Sequence, residues 1–184
     1  ESCRKIKYMF PKAHAVAYLM AAIRLMWFKV YHPAIFYAVY FTVRGADIDY
    51  EAAVGGVRVA KEHLRDNEKI PKDERTAKDD DALVSLQLVN EMLQRGYEFL
   101  PVRIGKSRAK TYVIEDGKIR LPFMALKGVG EAAARSLWET AKTEQFISAD
   151  DISNRAGVSK SVIEMLRGAG ALGDLPETSQ VSFF

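Results

Sequence analysis

A single cysteine, Cys3, is all that 184 residues contain. No disulfide can form within the chain and no cysteine-based zinc cluster can be built, and so little cysteine suits a reducing compartment. Three histidines, His14, His32 and His63, are too few for a self-contained metal site, and neither a metal nor a cofactor is expected. No segment has the pattern of a signal peptide. The apolar stretch from Ala13 to Phe28 is broken by Arg24 and bounded by Lys12 and Lys29, so it reads as a buried helix rather than a membrane span. The first residue is Glu1 rather than Met, as in a fragment or a processed product.

What remains is a chain that should fold. Hydrophobic residues make up 48% of it, enough for a real core in one large domain or two small ones. The net charge of +3 is unevenly laid out. From Arg95 to Lys127, eight bases (Arg95, Arg103, Lys106, Arg108, Lys110, Lys118, Arg120, Lys127) face three acids (Glu98, Glu115, Asp116), an excess of five. Up to His32, six bases face Glu1 alone, again an excess of five. Asp47 to Asp81 is acidic. Base concentrated in two segments favours a polyanion partner, although any one of these side chains alone reads as solvated surface.

The most informative stretch is Leu126-Lys127-Gly128-Val129-Gly130, which follows Pro122 and Phe123-Met124-Ala125 and opens onto a helical run from Glu131. Gly-apolar-Gly at this place is the pattern of a helix-hairpin-helix turn. Glycine takes positive φ without a Cβ clash, and such a turn exposes N–H groups beside the next helix's positive end, where a phosphate is held. Val129 would point inward and lock the helices together, and Lys127 would add a cation at the rim. An ordinary tight helix–helix turn has the same spelling.

Around it, the periodicity predicts a mainly α fold with a small β-hairpin. Helices are expected from Lys12 to Tyr31, behind Pro11; from Ala34 to Thr42, dense in core-type aromatics (Phe36, Tyr37, Tyr40, Phe41); and from about Tyr50 to Asn67. Lys12 and His14, in the first turn of the first helix, can meet phosphate oxygens or be plain surface. Asp79, Asp80 and Asp81 resemble a metal cluster but fit better as the acidic first turn of a helix from Ala82 to Arg95, ended by Gly96. Asp116-Gly117 predicts a hairpin between Thr111–Ile114 and Lys118–Leu121. Ser148 and Ser159 are N-caps of two further helices, the second running to Arg167 and closed by Gly168-Ala169-Gly170. That closure loosely echoes the first hairpin, and two such hairpins would straddle one minor groove, touching phosphates without reading sequence. The organisation expected is residues 1–96, then a helix-hairpin-helix domain over 97–176, then a tail over 177–184.

Several of these runs together resemble the bacterial replicative C-family DNA polymerases. Phe10-Pro11-Lys12-Ala13-His14-Ala15, then Trp27-Phe28-Lys29 and Pro33, are similar to the fingers of those enzymes. Leu121-Pro122-Phe123 through Gly128-Val129-Gly130, and Phe146 through Asp150-Asp151 and Val158-Ser159-Lys160 to Gly170, are similar to their duplex-binding helix-hairpin-helix region. Leu175-Pro176-Glu177 and Gln180-Val181-Ser182-Phe183-Phe184 resemble the end of the PolC-type alpha subunit. The last five residues resemble its clamp-binding peptide, Gln-Leu-Ser/Asp-Leu-Phe, with Val181 and Phe183 in place of leucines.

The resemblance implies a part of a DNA-directed DNA polymerase in the bacterial cytoplasm, associated with the nucleoid. Fingers residues Lys12, His14, Arg24 and Lys29 would meet incoming nucleoside triphosphate or template. Lys106, Arg108, Lys110, Lys127, Gly128, Val129 and Gly130 would grip primed duplex DNA. Gln180, Val181, Ser182, Phe183 and Phe184 would bind the sliding clamp, alongside other replisome subunits and away from any membrane. Phosphoryl transfer needs aspartate-held metal ions. The resemblance puts those, with Mg2+, in a palm outside this chain, which alone would be inactive. The rival readings are a helix-hairpin-helix module of a repair or recombination protein, and a purely architectural helical partner.

Overall fold

The computed structural model describes residues 11–45, 48–71 and 73–178. Seven α-helices and one three-stranded sheet make up the described chain, so the fold is mainly α with a small β-hairpin. Helix α1 (Lys12–Tyr31) meets α2 (Pro33–Arg44) at His32, where Pro33 sits at the first helical position and needs no N–H partner. Helix α3 (Tyr50–Glu68) starts at Asp49, whose carboxylate accepts the Ala52 N–H at 2.9 Å. It kinks at Gly56, with φ +79° inside the helix. Helix α4 (Ala77–Gln94) begins five residues earlier than Ala82. Thr76 and Asp79 form a reciprocal capping box there, and Asp79 and Asp80 occupy the first turn. The aspartate run is thus spent on a helix start.

Helices α3 and α4 pack along one another and bury Ala52, Ala53 and Ala60 on one side, Leu86, Val89, Met92 and Leu93 on the other. Strands β1 (Phe99–Leu100), β2 (Val113–Glu115) and β3 (Lys118–Arg120) follow, in the order β1-β3-β2. The β2–β3 hairpin turns at Asp116-Gly117, both with positive φ, as a two-residue turn of this hand requires. Phe41 of α2 joins helices to sheet. Its ring lies 5.4 Å from Phe99 and 5.7 Å from Tyr112, and all three are buried. Thr42 Oγ1 accepts the Tyr112 N–H, and the Tyr50 hydroxyl accepts that of Val102. Beyond the sheet lie a single 3-10 turn (Phe123–Ala125) and helices α5 (Glu131–Thr143), α6 (Ala149–Ala156) and α7 (Lys160–Gly168). Pro176 and Glu177 return to accept N–H groups at the start of α6.

Helix α1 corrects the expectation of a buried helix. Not one of its residues is buried, and Trp27 and Tyr31 are 49% and 65% exposed. The reason is the breadth of its apolar surface: side chains point outward all round, and α2 with the end of α4 covers only one side. By length and composition alone this helix could span a bilayer.

Candidate nucleic-acid interface

Two hairpins dominate the far end of the molecule. In the first, Gly128 takes φ +97°, Val129 is buried and closes the turn through its N–H to the Leu126 carbonyl, and Gly130 is the N-cap of α5. Gly130 has φ −71°, so only one of the two glycines uses glycine's conformational freedom. Having no side chain, Gly130 leaves the first N–H groups of α5 uncapped by any side chain, beside the positive end of a 13-residue helix.

The second hairpin is Gly157-Val158-Ser159, between α6 and α7. Gly157 takes φ +62°, Val158 is buried, and Ser159 is the N-cap with φ −70°, ψ 158°, against −71°, 162° at Gly130. The two units repeat at twenty-nine residues: Gly128/Gly157, Val129/Val158, Ala134/Ile163, Leu137/Leu166, the last three pairs all buried. The turn is therefore not Gly168-Ala169-Gly170, which only ends α7. A glycine-x-glycine search passes over Gly157 because serine stands in for the second glycine. The signal that finds it is a buried valine between a glycine and a helix cap.

Each unit also holds the other's hairpin. Ser136 of α5 donates its hydroxyl hydrogen bond to the carbonyl of Ala156, at the mouth of the second hairpin. Met165 of α7, its equivalent twenty-nine positions on, lies where a Gly128 side chain would be, its Sδ 2.6 Å from an ideal Cβ. The same position of the repeat thus reaches, from each unit, the hairpin of the other.

The basic loop is docked onto the first hairpin. The Phe123 and Met124 N–H groups donate to the Arg108 and Ala109 carbonyls at 2.9 and 3.1 Å, and buried Ser107 donates to the Leu121 carbonyl. Arg108, Lys110 and Lys127 are exposed and make no ion pair among the described residues. Lys106 instead pairs with Glu115 at 2.8 Å, as does buried Arg120 at 2.7 Å. The two cations hold the Glu115 carboxyl below its usual range, Lys106 contributing most. Helix α7 adds exposed Lys160 beside the second hairpin.

The other predicted contacts lie on α1. Lys12 and His14 occupy its first turn, exposed, with the His14 ring edge-on to Tyr18 at 4.6 Å, and Arg24 is exposed halfway along. Lys29 turns inward to Glu91 of α4 at 2.7 Å. Glu91 also accepts from the Tyr37 hydroxyl, which accepts from Arg95. Partial burial pushes the Glu91 carboxyl up, but Lys29 and Tyr37 outweigh it and hold it low. Gln180, Val181, Ser182, Phe183 and Phe184 lie outside the described residues. Among the described residues, no three His, Cys, Asp or Glu side chains gather as a metal site.

Comparison with known proteins agrees with this geometry. Residues 96–181 match the family model described as "Helix-hairpin-helix motif". The chain is 41% identical over 184 residues to DNA polymerase III PolC-type of Thermotoga maritima. It is 40% identical over 185 residues to that of Streptococcus thermophilus, and 41% over 184 to that of Staphylococcus saprophyticus. Each alignment takes in 100% of this chain and 13% of the relative. With two residues in five shared along its whole length and a helix-hairpin-helix where that likeness calls for one, the chain belongs to the PolC-type DNA polymerase III family, as a segment of it.

Proposed function

We propose that this chain is a non-catalytic part of a bacterial DNA-directed DNA polymerase, and that it grips primed duplex DNA by its backbone. The observation that carries the reading is the pair of hairpins: positive-φ glycine, buried valine and N-cap, repeated at twenty-nine residues beside unpaired cations. Gly128, Val129 and Gly130 form one phosphate grip and Gly157, Val158 and Ser159 the other. Lys127, Arg108, Lys110 and Lys160 supply charge, and Lys106 adds to the field while sharing Glu115. Uncapped or serine-capped helix starts meet phosphates irrespective of base.

Residues 1–96 act as fingers, with Lys12, His14 and Arg24 towards nucleotide or template; Lys29, bound to Glu91, sets the angle at which α1 leaves the bundle. Residues 97–176 form the duplex grip, and 177–184 a tether. Gln180 with Val181, Ser182, Phe183 and Phe184 supplies a polar anchor and apolar plugs for the groove of a sliding clamp, which raises effective concentration at the primer. Mg2+ and its carboxylates belong to a palm outside this chain. The setting is the bacterial cytoplasm, at the replisome.

The test compares the 184-residue chain with a copy truncated after Ser179, against a bacterial sliding clamp and against primed duplex DNA. Truncation should abolish clamp binding and spare duplex binding. Failure of the full chain to bind either partner would leave the family likeness without this function.

A further inference from the structure

The two hairpins can serve one duplex only if their separation is fixed; they share one buried core, and two specific contacts tie each hairpin to the other unit's helix. The last carbonyl of α6, on Ala156, is an acceptor that no further turn of helix can satisfy, because Gly157 reverses into the left-handed region. Ser136, half-buried on α5, takes it. On the other side Gly128, equally left-handed, leaves room that the Met165 thioether of α7 fills. Ser136 and Met165 are the same position of the repeat, so one site, used twice, ties each hairpin to the neighbouring helix pair.

We propose that Ser136 and Met165 are positioning residues that set the spacing and angle of the two phosphate grips. Neither touches DNA; each acts through the hairpin it holds. The proposal rests on the duplex-gripping function proposed above and adds to it how two weak backbone contacts are made to act together. With the spacing fixed, the second grip engages at high effective concentration once the first has bound. With it loose, one grip acts at a time.

The experiment uses the full 184-residue chain and a primed duplex, with affinity measured across a range of salt. Ser136→Ala should weaken binding by about threefold to tenfold, the range for loss of one neutral hydrogen bond. It should also flatten the dependence of log affinity on log salt by about one phosphate's worth, roughly 0.9 in slope. Ser136→Thr, which keeps the hydroxyl, should restore both. The loss should be non-additive with Lys160→Ala, at the hairpin Ser136 holds, and additive with Lys127→Ala, at the other. Met165→Ala should show the reverse pairing, and it keeps the test open if Ser136→Ala does not fold. Unchanged affinity and slope in folded Ser136→Ala and Met165→Ala, or losses additive with both lysines alike, would overturn the proposal. Absence of salt-dependent duplex binding by the unmodified chain would instead overturn the hairpin function itself, and the proposal with it.

Discussion

Gly128 and Met165 meet so closely that a methyl group on Gly128 would stand 2.6 Å from the Met165 sulfur. Sequence distance hides the contact, and it separates the two glycines of the first hairpin by role. Gly128→Ala incurs the cost of φ +97° and must also push Met165 aside, whereas Gly130 has φ −71° and open space around the missing Cβ. Gly128→Ala is expected to destabilise the fold by about 1–2 kcal/mol, since the left-handed conformation alone costs most of that and the flexible thioether can shift. Gly130→Ala should cost less, about 0.5 kcal/mol for alanine in place of glycine at an N-cap, in thermal unfolding. Equal melting temperatures for the two variants would contradict this division.

The unpaired cations predict a graded response to salt. Among the described residues, Lys127, Arg108, Lys110 and Lys160 carry no ion pair, while Lys106, Lys118 and Arg120 are committed to Glu115 or Glu98. Each alanine substitution in the first group should weaken duplex binding equally across sequences and lower the salt slope by about 1. Lys118→Ala should leave the slope within error of the parent. Filter binding or fluorescence anisotropy on two unrelated duplexes decides it, and a preference for one sequence would rule out backbone contact as the main source of affinity.

Much of this was legible in the chain beforehand. Ser148, Ser159, Gly96, Asp116-Gly117 and the Gly128-Val129-Gly130 turn all sit where local chemistry placed them, because caps and tight turns are decided within a few residues. Two kinds of feature were not. The second hairpin hid behind a serine in the second glycine's place, which caps α7 with its side chain and so matched no glycine pattern. The partners of Lys29 and the surroundings of α1 depend on residues far off in sequence. Lys29 meets Glu91 sixty-two positions away. Apolar composition identifies a helix that ought to be covered, but it carries no information about whether the cover lies in the same stretch of chain.

His63 ties the kinked helix to its own start. Its Nδ1 lies 2.6 Å from the second oxygen of Asp49, the oxygen not used to cap Ala52. The bond to Asp49 raises the imidazole pKa and outweighs the opposing effect of burial, with further help from Asp49, Glu51 and Glu62 as charges. A raised folded-state value means the folded protein binds the proton more tightly than the unfolded chain. The stabilisation is therefore fully present below about pH 6.5, the unfolded value, and is lost as pH rises through the raised value in the folded state. Because both groups are nearly a third exposed, the pair is worth about 1 kcal/mol or less. His63→Gln should lower stability at pH 6 and converge on the parent by pH 9 in denaturant melts. A constant difference across that range would remove the charge from the account.

Helix α1 poses the sharpest physical problem, since its apolar side chains are exposed on most of its circumference, broken only by Lys12, His14 and Arg24. A bilayer is one possible cover, but the helix is poorly made for it. Arg24 would sit within the hydrocarbon, at a cost of about 2.5–3.5 kcal/mol for an arginine at the helix centre. Lys29 is held sideways by Glu91 and Arg95 reaches the Lys29 carbonyl, so the helix end is bound into the protein. The relatives are far longer than this chain, which spans 13% of their length, and a protein cover would suit both the apolar surface of the helix and its three cations, Lys12, Arg24 and Lys29. The 184-residue chain should therefore bind a hydrophobic dye such as ANS strongly and self-associate, yet fail to float with zwitterionic vesicles. Arg24→Leu should increase vesicle association, because it removes the charge that opposes insertion. If the unmodified chain floated with vesicles and its α1 resisted protease there, lipid rather than protein would be the natural cover of this helix.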